Sequence, residues 1–372
     1  MSFLRVPILD LGRQHAALRP ALDAALARVL DGGHFILGPE VEAFEREAAD
    51  LCGAAFAVGV SSGTDALLAA LMALGVGPGT EVVTTAFSFF ATAGAIARLG
   101  ARPVFADIDE HFNLDPDDVF LRVTPRTRAI LPASLFGRRC DVERLGRVGR
   151  PILEDAAQAF GAPGVGKGRN VHAATLSFYP SKNLGALGDA GMVVTDSPTL
   201  ADLLRLVRGH GARPKYHHLV LGGNFRLDAM QAALLRVKLP HLAAWNEARR
   251  RNAAFYREAL ADLAGHGDLV LPEDAPGHIW HHFVVRVLGE GRREALRRFL
   301  QEQGIETEIY YPEPLHLQPC FAELGGRPGD HPRAEAAARE ALAIPVHPEL
   351  DEAQRAHVVA AMQQFFRTAT PP

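Results

Sequence analysis

Ser177-Phe178-Tyr179-Pro180-Ser181-Lys182-Asn183-Leu184-Gly185 is the run that decides how the rest of the chain is read. It follows a short apolar segment at residues 174–177 and lies downstream of Glu154-Asp155-Ala156-Ala157-Gln158, which closes another such segment at residues 151–154. A lysine after one strand and a carboxylate at the end of an earlier one are the two groups that pyridoxal phosphate (PLP) chemistry requires. The lysine forms an imine with the cofactor aldehyde, and the acid keeps the pyridine nitrogen protonated so that the ring accepts electrons.

Lysine is scarce, which sharpens the reading: Lys167, Lys182, Lys215 and Lys238 are the only four, arginine supplying the rest of the 39 basic residues. Lys238 closes a pattern whose apolar spacing fits an amphipathic helix with the ammonium on its solvated side. Lys215, in Arg213-Pro214-Lys215-Tyr216, reads as loop. Lys167 ends Gly161-Ala162-Pro163-Gly164-Val165-Gly166-Lys167, the spacing of a phosphate-binding P-loop. That motif needs Ser or Thr after the lysine and a helix to open, whereas Gly168-Arg169-Asn170 follows here.

At 372 residues and 48% hydrophobic, the chain is long enough for two domains and a large core. No run approaches the roughly 18 uninterrupted apolar residues of a membrane span. The first residues lack the pattern of a secretory signal, so a cytoplasmic location is expected. Cys52, Cys140 and Cys320 are far apart and odd in number, which excludes a disulfide framework and a zinc site and leaves each as a buried small residue. A net charge of -4 gives no footprint for nucleic acid. Arginine clusters such as Arg249-Arg250-Arg251 fall in helical patterns and read as solvated faces.

Along the chain, short apolar runs alternate with glycine-containing turns and alanine- and leucine-rich amphipathic segments, the pattern of an α/β fold. The expected strands are residues 55–60, 81–85, 103–106, 128–132, 151–154, 174–177 and 191–195. Helices are expected at residues 64–74, 89–99, 226–239 and 242–263. A strand at 281–287 and helices at 292–303 and 351–366 suit a smaller α+β unit. The expected division is therefore a large α/β domain, residues 1–240, and a bridging helix with a small domain, residues 241–372.

Ligand sites of open α/β sheets lie at the carboxyl ends of the strands. There, Ser61-Ser62-Gly63-Thr64-Asp65 forms a small-residue turn opening a helix, whose free N–H groups make an anion site or simply a capped turn. Phe89, after the second strand, could lay its ring on a flat ligand or belong to the core. Asp155 and Gln158 are spaced to face one ligand.

Taken together and in this order, these motifs resemble the PLP-dependent nucleotide-sugar aminotransferases of the DegT/DnrJ type, a branch of the fold-type I aspartate-aminotransferase superfamily. The resemblance also rests on Gly188-Asp189-Ala190-Gly191, on Asn224-Phe225-Arg226-Leu227-Asp228 and on Gln231-Ala232-Ala233, and spans Pro7 to the last helix. It implies a large PLP-binding domain with a mostly parallel, mixed seven-stranded sheet flanked by helices. Lys182 would bond the cofactor and then move the proton between carbon centres. Asp155 would hold the pyridine nitrogen, Gln158 the phenolic oxygen, and Phe89 the ring face. Gly63, Thr64, the backbone of Asp65, and Ser177 would hold the phosphate, with Asn224 reaching it from the second subunit of a homodimer. The Gly222-Gly223 pair before Asn224 departs from the bulkier residue often found there.

The implied partners are an amino-acid donor, usually glutamate, and a keto-sugar nucleotide, used in alternation, with no nucleic acid, membrane or metal involved. Arg208, His210, Tyr311 and His316 are candidate contacts to the sugar nucleotide. Tyr216-His217-His218, and residues 235–239 leading to Trp245-Asn246, resemble the enzymes acting on a dTDP- or UDP-linked 3-keto hexose more than those acting at carbon 4. A dehydratase on the same scaffold resembles this family with histidine in place of Lys182. Aminotransfer to a cyclic polyol shares every cofactor residue, and a non-catalytic regulator or binding protein remains an alternative.

Overall fold

Runs of β-branched and small apolar residues form seven strands of one sheet: β1 Phe56–Val60, β2 Glu81–Thr85, β3 Arg102–Ala106, β4 Thr127–Leu131, β5 Ile152–Asp155, β6 Val171–Ser177 and β7 Gly191–Thr195. The computed structural model describes residues 4–368. The strand order is β1-β7-β6-β5-β4-β2-β3. Only β7 runs against its neighbours, so the sheet is mixed and mostly parallel, as expected. Every residue of β2 and β7 is buried, the mark of a sheet covered on both faces. The helix Gly63–Ala73 is one cover, and its run Ala66–Leu71 is buried on all sides. That explains its apolar composition all round.

The helices Leu11–Gly32 and Pro39–Cys52 pack on the helix Ala229–Lys238. Their presence corrects the reading of Lys238. The face taken as solvated is covered, the side chain is fully buried, and its Nζ donates to Gly185 O at 2.5 Å. Burial pulls this ammonium down to about 8. Arg249 is likewise buried, donating to His281 O at 3.1 Å. Of the cysteines, Cys140 is buried and Cys52 partly so, but Cys320 is exposed.

A second, three-stranded antiparallel sheet has the order β10-β9-β8, from β8 Leu269–Val270, β9 Phe283–Val287 and β10 Ala341–Ile344. The helices Arg292–Glu302 and Glu352–Thr368 lie in its core cluster. Val6 also packs there and pairs with Ile305, although the division by chain order put it with the first sheet. The helix Leu242–Ala259 leads from one sheet to the other and breaks at Leu260 before a short helix Ala261–Gly265, where one unbroken helix was expected.

The glycine-rich run ending at Lys167 cradles an internal acid. Gly166 N–H donates at 3.0 Å to Glu154, whose carboxylate is fully buried and also takes the Ser134 hydroxyl at 2.7 Å and the Arg139 guanidinium at 3.1 Å. Lys167 is paired with Asp196 at 2.5 Å, so the segment has no P-loop geometry. Removing one partner of such a buried pair leaves the other uncompensated, so Glu154→Ala should cost roughly 3 kcal/mol of stability. Urea unfolding monitored by circular dichroism measures it, and a loss below about 1 kcal/mol, the value of an ordinary surface pair, would show that the acid is not a structural anchor.

Candidate active site

The carboxyl ends of β1, β2, β4, β5 and β6 open into one cavity of about 510 Å³. Lys182, Asp155, Gln158, Phe89, Gly63, Thr64, Ser177 and Tyr311 all line it. Asp155 ends β5, with little surface of its own, and its carboxylate accepts the Thr92 hydroxyl at 2.8 Å and the Ala157 N–H at 3.2 Å. Burial raises its pKa, partly offset by those hydrogen bonds and by Lys182. Lys182 follows β6 on a loop, and the surface it keeps faces the cavity. Burial pulls its ammonium down to about 8, with Asp155 opposing the shift. A group of that basicity is half neutral near pH 8, and a neutral amine is what attacks a carbonyl.

The turn after β1 has the form of an anion cup. Ser62 caps the helix Gly63–Ala73 by accepting Asp65 N–H at 3.0 Å, leaving the N–H groups of Gly63 and Thr64 at the tip. A Cβ on Gly63 would lie 2.6 Å from the Ser177 Cβ, so glycine lets the serine close one side of the cup. Asp65 itself stands outside: its N–H is spent on Ser62, and its carboxylate accepts the Ser61 hydroxyl at 2.6 Å. Gln158 accepts the Phe136 N–H at 2.7 Å and donates to the Tyr311 hydroxyl at 2.9 Å, keeping one amide hydrogen uncommitted. Phe89 is 60% exposed at the rim of the cavity, where a flat ligand can meet it.

These groups fit PLP. A buried acid with only neutral donors suits a protonated ring nitrogen, the helix tip with Thr64 and Ser177 suits a phosphate, and a lysine of lowered basicity suits an aldehyde. Four other expectations fall differently. Arg208 is buried and spends its guanidinium on Glu45 at 2.5 Å and Gly59 O at 2.9 Å, holding β1 rather than a ligand. His316 is buried against Glu335 at 3.3 Å and His331, away from the cavity. His210 and Asn224 are exposed on the segment after the sheet, outside this chain's own cavity.

The cavity also holds residues to which the sequence reading gave no individual role. Ser88 lies 3.1 Å from Thr92, extending the hydroxyl chain to Asp155. Tyr310, His281, His282, Ser134, Ser181 and Asp189 complete the wall. The paired histidines just before β9 were counted as strand; two adjacent imidazoles at a strand start were the available signal.

Comparison with known proteins agrees with this geometry. Residues 17–363 match the model of the DegT/DnrJ/EryC1/StrS aminotransferase family. The chain is 46% identical to the dTDP-3-amino-3,4,6-trideoxy-alpha-D-glucose transaminase of Streptomyces venezuelae, over 97% of this chain and 96% of that one. It is 48% identical to a protein of Geobacillus stearothermophilus named pleiotropic regulatory protein, over 98% and 99% of the two chains. Among solved structures, NtdA of Bacillus subtilis with bound cofactor PMP superposes with a TM-score of 0.94 at 30% identity, covering 99% of this chain and 86% of that one. The chain belongs to the DegT/DnrJ/EryC1/StrS aminotransferase family, whose enzymes use PLP.

Proposed function

We infer that the protein moves an amino group from an amino acid, glutamate on the family pattern, to the keto carbon of a nucleotide-linked hexose, the two substrates using one site in turn. The observation that carries this is the meeting of Lys182, Asp155 and the Gly63–Ser177 cup in one cavity. Carbon 3 is the favoured position, since the names of relatives such as the Streptomyces transaminase place the amine there. A regulatory role, which one relative's name invites, leaves these converging groups without a purpose.

When bound, PLP supplies the electron sink that lowers the barrier to removing a proton from the amine-bearing carbon. Lys182 would hold the cofactor and carry that proton between carbons. Asp155 would keep the ring nitrogen protonated, and Thr92 and the Ala157 N–H fix the orientation of its carboxylate. Gly63, Thr64 and Ser177 would take the phosphate, Gln158 the phenolic oxygen, and Phe89 the ring face. Tyr311, tied to Gln158, would meet the sugar.

The reading includes a homodimer with shared sites. Phe35, Ile36, Leu187, Leu219, Leu221 and Met230 are exposed, and the first three share an edge with Met230 through the Phe35–Ala229 and Leu187–Gln231 hydrogen bonds. An apolar surface of that kind calls for a partner. It borders the segment carrying His210 and Asn224, which would then reach the other subunit's cavity. A cytoplasmic location accords with three free cysteines.

Purified protein loaded with PLP should be yellow and bleach on addition of glutamate, and the bleached form should regain colour with a dTDP- or UDP-linked 3-keto hexose. Lys182→Ala should lose both changes; colour regained only with 4-keto hexoses would defeat the carbon 3 assignment. Because Lys182 titrates near 8, the rate at which the apoprotein takes up PLP should rise with pH to a midpoint in that region. Asp155 favours the ammonium form, so Asp155→Asn should move that midpoint to lower pH, and an unmoved or raised midpoint would separate the two groups. Sedimentation should give twice the chain mass of 40.1 kDa. Leu221→Asp should lower it toward one copy and take activity with it, and an active monomer would remove the shared site.

A further inference from the structure

His281 stands in the cavity wall with its two ring nitrogens in different situations. Nδ1 lies 2.8 Å from Asn183 Oδ1, and Asn183 directly follows Lys182. The orientation of the Asn183 amide is set by its other contacts: Nδ2 points at Asn246 Oδ1 at 2.6 Å and at Ile279 O at 3.3 Å. A backbone carbonyl only accepts, so the amide presents NH2 to Ile279 and oxygen to the imidazole. His281 Nδ1 must therefore carry the proton.

The ring is neutral as well. Burial, then His282, Lys182 and Arg249, hold it well below the usual imidazole range. A neutral ring with its proton on Nδ1 has a bare lone pair on Nε2. Among the described residues that nitrogen has no hydrogen-bond partner, and it is not sealed from solvent, so it opens on the cavity that His281 lines. The residue is held from behind as well. Arg249 binds its carbonyl at 3.1 Å, and Ile279 and His282 on either side donate to Gly137 O and Phe136 O.

We propose that His281 is a specificity residue for the sugar substrate, its Nε2 accepting a hydrogen bond from a ring hydroxyl, with Asn183 as the positioning residue that fixes the tautomer. The proposal rests on the nucleotide-sugar reading of the same cavity. The other small polar groups nearby, the hydroxyls of Ser88, Ser134, Ser181, Tyr310 and Tyr311, both donate and accept. An uncharged nitrogen that only accepts selects differently. It takes a hydroxyl proton and repels a carboxylate, so it favours the sugar and gives nothing to the acid groups of the amino donor.

Asparagine at 281 keeps an amide near the Nδ1 position and loses the Nε2 atom, whereas glutamine returns an acceptor near Nε2. With a dTDP-linked 3-amino hexose as the calorimetric probe, His281→Asn should bind roughly tenfold more weakly or worse. His281→Gln should recover much of that affinity. Both variants should weaken probe binding by a much larger factor than they slow bleaching by glutamate, whereas a general structural defect would lower the two alike. Nitrogen-15 NMR of labelled histidines should show His281 protonated on Nδ1, and its Nε2 resonance should shift when the probe binds. Equal probe affinity in wild type and His281→Asn, loss of the glutamate step in parallel with the sugar step, or a proton on Nε2 would each overturn the proposal alone. A wild-type protein that does not bind the probe at all would overturn the sugar reading, and this inference with it.

Discussion

Asp155 and Lys182 are withdrawn from bulk water at the ends of neighbouring strands, and neither keeps its solution basicity there. Dehydration favours the neutral forms of both, pushing the acid up and the amine down, while their mutual attraction works the other way. The structure supplies the balance from small donors. Thr92 and the Ala157 N–H each give Asp155 one hydrogen bond, and no guanidinium is spent on it. A stronger partner would have fixed the acid as an anion already paired, with less to offer a ring nitrogen. Keeping the pair dry requires cover, and the buried apolar run Ala66–Leu71 of the helix after β1, together with strands buried on both faces, provides it.

The same strand end shows how period-2 geometry divides labour. Glu154 and Asp155 are adjacent, so their side chains leave β5 on opposite sides. Glu154 is saturated by Arg139, Ser134 and the Gly166 N–H and holds the loops behind the sheet. Asp155 faces the cavity. Two acids in one dipeptide thus face opposite ways, one saturated by the fold and one open to the cavity. The small sheet enters the cavity through two cross-ties. Tyr311 meets Gln158, and His281 meets Asn183, so the placement of the second sheet is felt on both the turn after the acid and the lysine's loop.

Much of this was legible in the chain. The seven strands announce themselves because a doubly covered sheet must be built from short, uninterrupted apolar runs, and such runs stand out between glycine turns. Lys182, Asp155, Gln158 and the Ser62–Thr64 turn are legible because each sits at a strand end, where chain order alone locates it. What failed to show was tertiary. Lys238 lies on a helix with a polar edge, and only the packing of the N-terminal helix over that edge buries it. Arg208 and His316 carry the right chemistry for a diphosphate, yet an ion pair with Glu45 and a buried contact with Glu335 claim them first. Asp65 has the right position and the wrong orientation, its N–H taken by the cap. His281 was hidden because its value comes from Asn183, nearly a hundred positions away in the chain.

Lysine is scarce, and three of the four are engaged elsewhere. Of the four, Lys167 is held by Asp196, Lys238 is sealed against Gly185 O, and Lys215 lies 4.9 Å from the ring of its neighbour Tyr216 on an exposed segment. Each of the three is thus engaged away from the cavity, by a carboxylate, a backbone carbonyl and an aromatic ring. Lys182 has no such occupation. It forms no ion pair and donates no side-chain hydrogen bond among the described residues, although it stands beside a buried carboxylate that lifts its basicity and a shell of protein that lowers it. Of the four lysines only Lys182 lines the cavity, and the property that distinguishes lysine from arginine there is that it can lose its proton and bond to carbon.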